Sequence, residues 1–186
     1  MGKGRRDGQR RKRSPLRRAV AGFAMAGMLA CVAASPPAGA VPGTPTAGPC
    51  AETSSGAAFE VTVHGFKAPT GYILVYLYAA DQRRFMEHNQ WISRIELAIR
   101  TLDPVRLCVP APGPGRYAIS VRHDVDGNRQ RTDMNDGGGF SRNPHLSLLH
   151  LRPRVDAVAL TAAPGVQRVD IVLNYRQGLR VGPWRR

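Results

Sequence analysis

Through the middle of the chain, apolar and polar residues alternate with a period of two, the repeat of a strand that buries one face. Phe59, Val61 and Val63 alternate with Glu60, Thr62 and His64 and stop at Gly65. The next run, YILVYLYAA at 72–80, is apolar on both faces and rich in β-branched and aromatic residues, which marks a central strand covered on both sides. Residues 81–91 break the rhythm with polar residues around Phe85, Met86 and Trp91, and read as a short helix or a long loop. Alternation returns in Ile95, Leu97 and Ile99, in Val105, Leu107 and Val109, and after PAPGPG in Tyr117, Ile119 and Val121. Two last runs cover 155–160 and 166–175, separated by AAPG. Seven strands cut by Pro and Gly turns, without strand–helix–strand spacing, predict an all-β domain at 59–176, a single antiparallel β-sandwich of about seven strands. That span suffices for one small core and not for two.

The flanks have a different texture. Residues 41–58, VPGTPTAGPCAETSSGAA, hold almost no large apolar side chain and cannot bury enough surface to offset their ordering entropy, so they read as a flexible linker. Residues 177–186, with Gly178, Gly182, Pro183 and three arginines, read as a flexible tail. Residues 1–40 carry nine basic side chains against Asp7, followed by the uncharged stretch AVAGFAMAGMLACVAA at 19–34 and by Ala38-Gly39-Ala40. A basic start, a short apolar stretch and a small-x-small site describe a signal peptide cleaved before Val41. Its 16 apolar positions fall short of the roughly 20 that span a bilayer, and no other segment of the chain is a transmembrane candidate. The mature protein is therefore expected in the periplasm or outside the cell. Arg17-Arg18 fits a twin-arginine exporter only loosely, and Met28-Leu29-Ala30-Cys31 is a poor lipobox, so anchoring as a lipoprotein is not expected.

This division changes the meaning of the charge. The chain has 27 Lys plus Arg against 13 Asp plus Glu, a net +14, of which the leader holds +8 and the exported part +6. A basic balance is the footprint of a phosphate binder. Here most of it belongs to the leader, and nucleic acid is excluded as a partner. The remaining arginines are scattered over strands as on a solvated face, with Arg152-Arg154 and Arg185-Arg186 suited to an anionic envelope surface. With Cys31 in the leader, Cys50 and Cys108 remain as an even pair in an oxidising compartment and are expected to form a disulfide.

One segment stands apart, HDVDGNRQRTDMNDGGGFSRNP at 123–144, with four aspartates, three asparagines and four glycines and no apolar period. It reads as a long loop at one edge of the sandwich, and long loops in compact domains tend to be functional. Asp124, Asp126 and Asn128 offer alternating oxygen ligands of the kind that converge on calcium, with Asp133, Asn135 and Asp136 available to complete the shell. Arg129 stands where a helix–loop–helix calcium site needs glycine, and Asn135 where it needs a bidentate Glu. The competing reading has the Asp and Asn side chains capping turns and pairing with Arg129 and Arg131. Gly137 to Gly139 precede Phe140 and open no helix, which argues against a phosphate cradle. There is no G-x-S-x-G and no H-E-x-x-H, and neighbouring residues such as His123 and Asp124 point to opposite faces of a strand.

The runs GRYAISVRHDVDGN, GGGFSRNP and DIVLNY together resemble the exported bacterial family called domain of unknown function 2141. The resemblance implies a signal peptide followed by a transthyretin-like or immunoglobulin-like β-sandwich, with no established activity. By position it carries over Pro114, Gly115, Tyr117, His123, Asp124, Asp126, Asn128, Gly139, Phe140, Ser141 and Asn143. Where the family has N-G-K-x-D, this chain has Asn128-Arg129-Gln130-Arg131-Thr132-Asp133, one residue longer and without the glycine.

The expected function is a non-enzymatic binding or structural module of the cell envelope. Its candidate calcium ligands are Asp124, Asp126, Asn128 and Asp133, and its loop and binding candidates are His123, Phe140, Ser141 and Asn143. Trp91 and Tyr117 are further aromatics for an envelope glycan or peptide, although core packing suits Tyr117 better. The alternative is a small secreted hydrolase using two of Asp124, Asp126, Asp133 and Asp136, since two carboxylates about 5–10 Å apart suffice for glycan cleavage.

Overall fold

The computed structural model describes residues 46–51, 56–129 and 133–185. The leader expected at 1–40 and part of the linker lie outside the described residues. Among the described residues no helix is long and apolar enough to cross a membrane.

Two sheets form the body. The smaller contains β1 (Thr46–Ala47), β5 (Val105–Ala111), β2 (Ala57–His64) and β9 (Gly165–Val172), in that spatial order. The larger runs β11 (Arg180–Pro183), β10 (Asn174–Gln177), β7 (Gly137–Phe140), β6 (Gly115–Asp124), β3 (Tyr72–Ala79) and β4 (Ser93–Ala98), and β8 (Leu160–Ala162) pairs with the start of β6. Pairing is antiparallel except between β2 and β9, which run parallel in register from Ala57↔Gly165 to His64↔Val172. These two strands lie about a hundred residues apart in sequence, so no local hairpin geometry imposes the antiparallel sense.

The period-two pattern places the core. Phe59, Val61 and Val63 of β2, Leu107 and Val109 of β5, and Val169 and Ile171 of β9 meet Ile73, Val75 and Leu77 of β3 and Ile119 and Val121 of β6 in one buried cluster. The same strand β3 turns Tyr78 outward to a second cluster on the far side of the large sheet, with Phe85, Ala118, Phe140, Leu146, Val155 and Val158. The doubly apolar run 72–80 is therefore covered on both faces, by a sheet on one side and by irregular chain on the other.

Several segments depart from their sequence readings. The run 166–175 is not one strand but is divided at Leu173 between β9 and β10, which belong to different sheets. The run 155–160 is not one strand: Val155–Val158 forms a helical turn, α1, and only then does β8 begin. Val155 and Val158 are three apart, which puts both on one side of a turn of helix, and both are buried in the outer cluster. Within the expected linker, Thr46 and Ala47 pair with Cys108 and Leu107. Within the expected tail, β11 folds back on β10, and Trp184 packs edge-on against Tyr175 at 6.1 Å with the Lys67 ammonium 5.0 Å over its ring. A turn through Gly178 and one large aromatic are enough to dock this end.

The Cys50–Cys108 disulfide is formed, joining the first described segment to β5 across 58 residues of sequence. Closing a loop of that length removes denatured-state entropy worth roughly 3–4 kcal/mol. The Cys50→Ser, Cys108→Ser double variant is expected to lose about that much stability in urea unfolding while keeping the strand signature in far-ultraviolet circular dichroism.

Candidate binding site on the outer face of the large sheet

The first sequence candidate, His123, is not at a surface. Its ring is fully buried at the end of β6, edge-on to Phe66 at 5.3 Å and Tyr175 at 5.9 Å. Nε2 lies 2.9 Å from the Thr70 carbonyl, which only accepts, so Nε2 carries the proton and Nδ1 accepts from the Tyr175 hydroxyl at 2.6 Å. That hydroxyl in turn accepts from the Lys67 amide at 3.2 Å. Burial holds the imidazole below its ordinary pKa and raises that of the Tyr175 phenol. Both groups are neutral and mutually satisfied, a closed structural network and not an acid–base pair.

The GGGF segment expected within a loop is strand β7, paired with β6 from Ser120↔Phe140 to His123↔Gly137. Its glycines have two different roles. A Cβ on Gly137 would lie 2.3 Å from the Tyr175 ring, and one on Gly139 would lie 2.7 Å from Ile171 and 2.9 Å from the Val172 carbonyl, so packing requires both. Gly138 is different, because a Cβ there would meet nothing nearer than the Val121 carbonyl at 3.8 Å. Ser141 and Asn143 act as stitches: the Ser141 hydroxyl donates to the Val158 carbonyl and accepts from the Ile119 amide, while Asn143 donates to the Asp170 carbonyl and accepts from the Val172 amide.

Beyond β6 the chain forms a compact acidic turn. Asp124, fully buried, accepts from the amides of Gly127 and Arg129, each at 2.9 Å. Asp136 accepts from Val125 and Asp133, Asp126 from the Asn128 amide, and Asp133 from Asn135 and Asp136. The Asn128 side-chain amide bridges Asp126 and Asp133. One carboxylate oxygen from each of Asp124, Asp126 and Asp136 lies within 4.8 Å of the others. The set brought together is thus Asp124, Asp126 and Asp136, with Asn128 and Asp133 alongside as hydrogen-bond partners. Burial, together with the neighbouring Asp133 and Asp124 charges, raises the pKa of Asp136, whereas hydrogen bonds led by the Asn135 amide lower that of Asp133. Arg129, the residue out of place for a calcium loop, stacks 4.8 Å over Tyr72 and bridges to Glu96.

These elements frame a concavity of about 970 Å³ on the outer face of the large sheet. Register fixes its floor: Tyr76, Ser120 and Phe140 stand opposite one another in one row across β3, β6 and β7, and Arg122, Gly138 and Asn174 form the next across β6, β7 and β10. One wall comes from residues 86–91, where Trp91 packs against Tyr76 at 5.5 Å and His88 at 5.9 Å. Facing it, residues 146–152 bring Leu146, Leu148 and Leu151. Arg152 clamps the two walls together, donating to the Phe85 carbonyl and to Glu87, the latter at 2.7 Å. Asp133, Met134 and Asp136 close one end.

Of the sequence candidates, Trp91 and Phe140 line this site, whereas Tyr117 belongs to the inter-sheet core and donates to the Gly113 carbonyl. Arg152, marked as part of a charge cluster, is held in the wall. The sequence reading missed Tyr76, Asn174 and the LSLLHL wall at 146–151, whose four leucines in six residues outside any strand pattern were the available signal.

The neutral, buried state of His123 has a measurable consequence. Its pKa is lowered on folding, so below about pH 6.5 the unfolded chain takes up a proton that the folded one does not, and stability falls as pH drops towards the folded-state value. His123→Phe leaves the Tyr175 hydroxyl without an acceptor for its proton and the Thr70 carbonyl without the imidazole donor. Urea unfolding at pH 7.5 is expected to show a loss of about 2–4 kcal/mol, a loss that shrinks at pH 5.

No curated protein and no solved structure gives a significant match to this chain. A family model described as uncharacterized protein conserved in bacteria (DUF2141) matches residues 61–170, which span most of both sheets and the whole acidic turn, and the chain belongs to that family.

Proposed function

We propose that the protein is an exported, non-enzymatic binding module that takes an extended peptide segment into the concavity on the outer face of its large sheet. Gly138 carries this reading. Its neighbours in the GGG run are glycines because side chains would collide, whereas Gly138 has room for a side chain and instead leaves the floor open between Arg122 and Asn174. Above that trough, Met86, Met134, Leu148 and Leu151 offer apolar contacts, and Asn174, Arg176 and Asp133 offer hydrogen bonds. A mostly apolar lining with a few placed polar groups is the usual composition of a ligand site. Export rests on the leader read at 1–40, and the Cys50–Cys108 disulfide fits an oxidising compartment.

Calcium belongs to the same reading, as the ion that stiffens the closed end of the concavity. Asp124, Asp126 and Asp136 gather three carboxylate oxygens, and the burial and neighbouring carboxylate charges that raise the Asp136 pKa are what a hard cation offsets. The second reading, a small hydrolase, draws on the opposite pKa displacements of Asp133 and Asp136, both facing the concavity, since an acid and a base are made by environments that push paired carboxyls apart.

Gly138→Val is expected to melt no lower than wild type, because a β-branched residue suits a strand with free space, and to lose peptide binding. Panning a random dodecapeptide library on both proteins checks this. Enrichment on wild type and none on Gly138→Val supports a peptide site, whereas retention on purified peptidoglycan with no peptide enriched moves the ligand to a glycan, and release of soluble glycan fragments favours the hydrolase. For the ion, calcium is expected to raise the melting temperature over a chelator-treated sample, with the shift abolished in Asp126→Ala. Identical melts with calcium and with chelator rule the ion out.

A further inference from the structure

Sheet edges expose unpaired amides and carbonyls, and natural proteins blunt them with short strands, prolines, or side chains that occupy the edge groups. Three described edges follow this rule. β1 is two residues long, β11 ends in Pro183, and on β9 the Asn143 side chain takes the Asp170 carbonyl and the Val172 amide. The edge formed by β4 uses none of these, and carries instead the charged side chains Arg94 and Glu96, whose opposite signs discourage most partners but suit one register. Ser93–Ala98 is six residues long, contains no proline or lysine, and pairs among the described residues with β3 alone. Ile92, an exposed large apolar residue, immediately precedes it.

We infer that β4 pairs antiparallel with β4 of a second copy of this chain, about a two-fold axis at Ile95. The hydrogen-bond phase allows it. Ile99 donates to the Gly71 carbonyl, and in an antiparallel ladder bonding residues alternate, so Leu97 and Ile95 also turn their backbone groups to β3. Arg94, Glu96 and Ala98 then present theirs outward. A register centred on Ile95 sets Arg94 of each copy opposite Glu96 of the other as a hydrogen-bonded pair. Centring on Arg94 or Glu96 instead sets like charges face to face, which is destabilising. The two side chains already pair within the chain, Arg94 Nη2 to Glu96 Oε2 at 2.6 Å, and both are partly exposed on the outer face, so the contact needs no refolding.

Pairing in this sense joins the two large sheets with their outer faces on the same side. Both concavities then face one way, and a surface or polymer displaying repeated ligands is held by two sites at once, with the gain in avidity that linkage brings. The dimer itself does not depend on what the concavity binds.

Sedimentation equilibrium is the test. Wild type is expected to show a monomer–dimer equilibrium, Arg94→Glu to raise its dissociation constant about tenfold or more, and the Arg94→Glu, Glu96→Arg double variant, made in an Arg129→Gln background because Arg129 bridges to Glu96, to regain dimer as the opposed charges are exchanged. Amide hydrogen exchange on wild type needs no variant: the Arg94 and Glu96 amides are expected to slow as protein concentration rises. A wild type that stays monomeric to about 1 mM, a single variant that dimerises like wild type, a double variant that fails to regain dimer, or edge amides indifferent to concentration overturns the inference.

Discussion

The structure depends on a strand that is apolar on both faces. β3 turns Ile73, Val75 and Leu77 into the space between the sheets and Tyr78 to the other side, where a bare sheet face would leave aromatic surface in water. Burying that second face takes chain from outside the sheets. Residues 81–92 supply Phe85 and residues 144–158 supply Leu146, Val155 and Val158, with Arg152 holding the two segments together. The cover is incomplete, and the gap it leaves over β6, β7 and β10 is the concavity. The candidate site is thus a consequence of how a two-faced sheet is covered, and its walls are the irregular segments that do the covering.

The far end of the site is set by the close approach of β7 and β10 to β6. Gly137 passes under the Tyr175 ring, whose hydroxyl completes the His123 network, and a side chain at 137 would push that ring away. Gly71 has a positive φ of +74°, and a Cβ there would fall 1.8 Å from the Asp124 carbonyl, so the turn entering β3 abuts the strand that leads into the acidic turn. With Asp124 buried and held by two amides, the acidic turn is fastened to the sheet at its first residue and returns to it at Asp136. Backbone donors satisfy most of its carboxylate oxygens. Crowded acidic side chains can therefore coexist there, and a cation would add to an arrangement that already stands.

Much of the fold was legible because strand periodicity is local. The runs at Phe59, Tyr72, Ile95, Val105 and Tyr117 correspond to β2 through β6, since alternation reports the burial of one face whichever strand lies beside it. The run 155–160 was ambiguous because a short apolar stretch fits a helical turn as well as a strand. The GGGF run carried no alternation to read, having glycine where side chains would have shown it. The pairing of Cys50 with Cys108 followed from there being two cysteines after the expected leader, whereas the docking of 46–47 and 180–184 had no periodic signal and rests on one disulfide and one tryptophan.

The sequence by itself determined an all-β body, its principal strands, the disulfide pair, and an acidic turn directly after β6. These are properties of residue type and near-neighbour spacing, which any fold containing them must respect. Tertiary structure decided which residues meet. It placed His123 in the core and not at a surface, drew Asp136 in beside Asp124 and Asp126, and set β9 parallel to β2. It also built a concavity from Tyr76, Trp91, Leu151 and Asn174, residues up to a hundred positions apart. Such groupings depend on register between distant strands, and a register belongs to a pair of strands and to neither one alone.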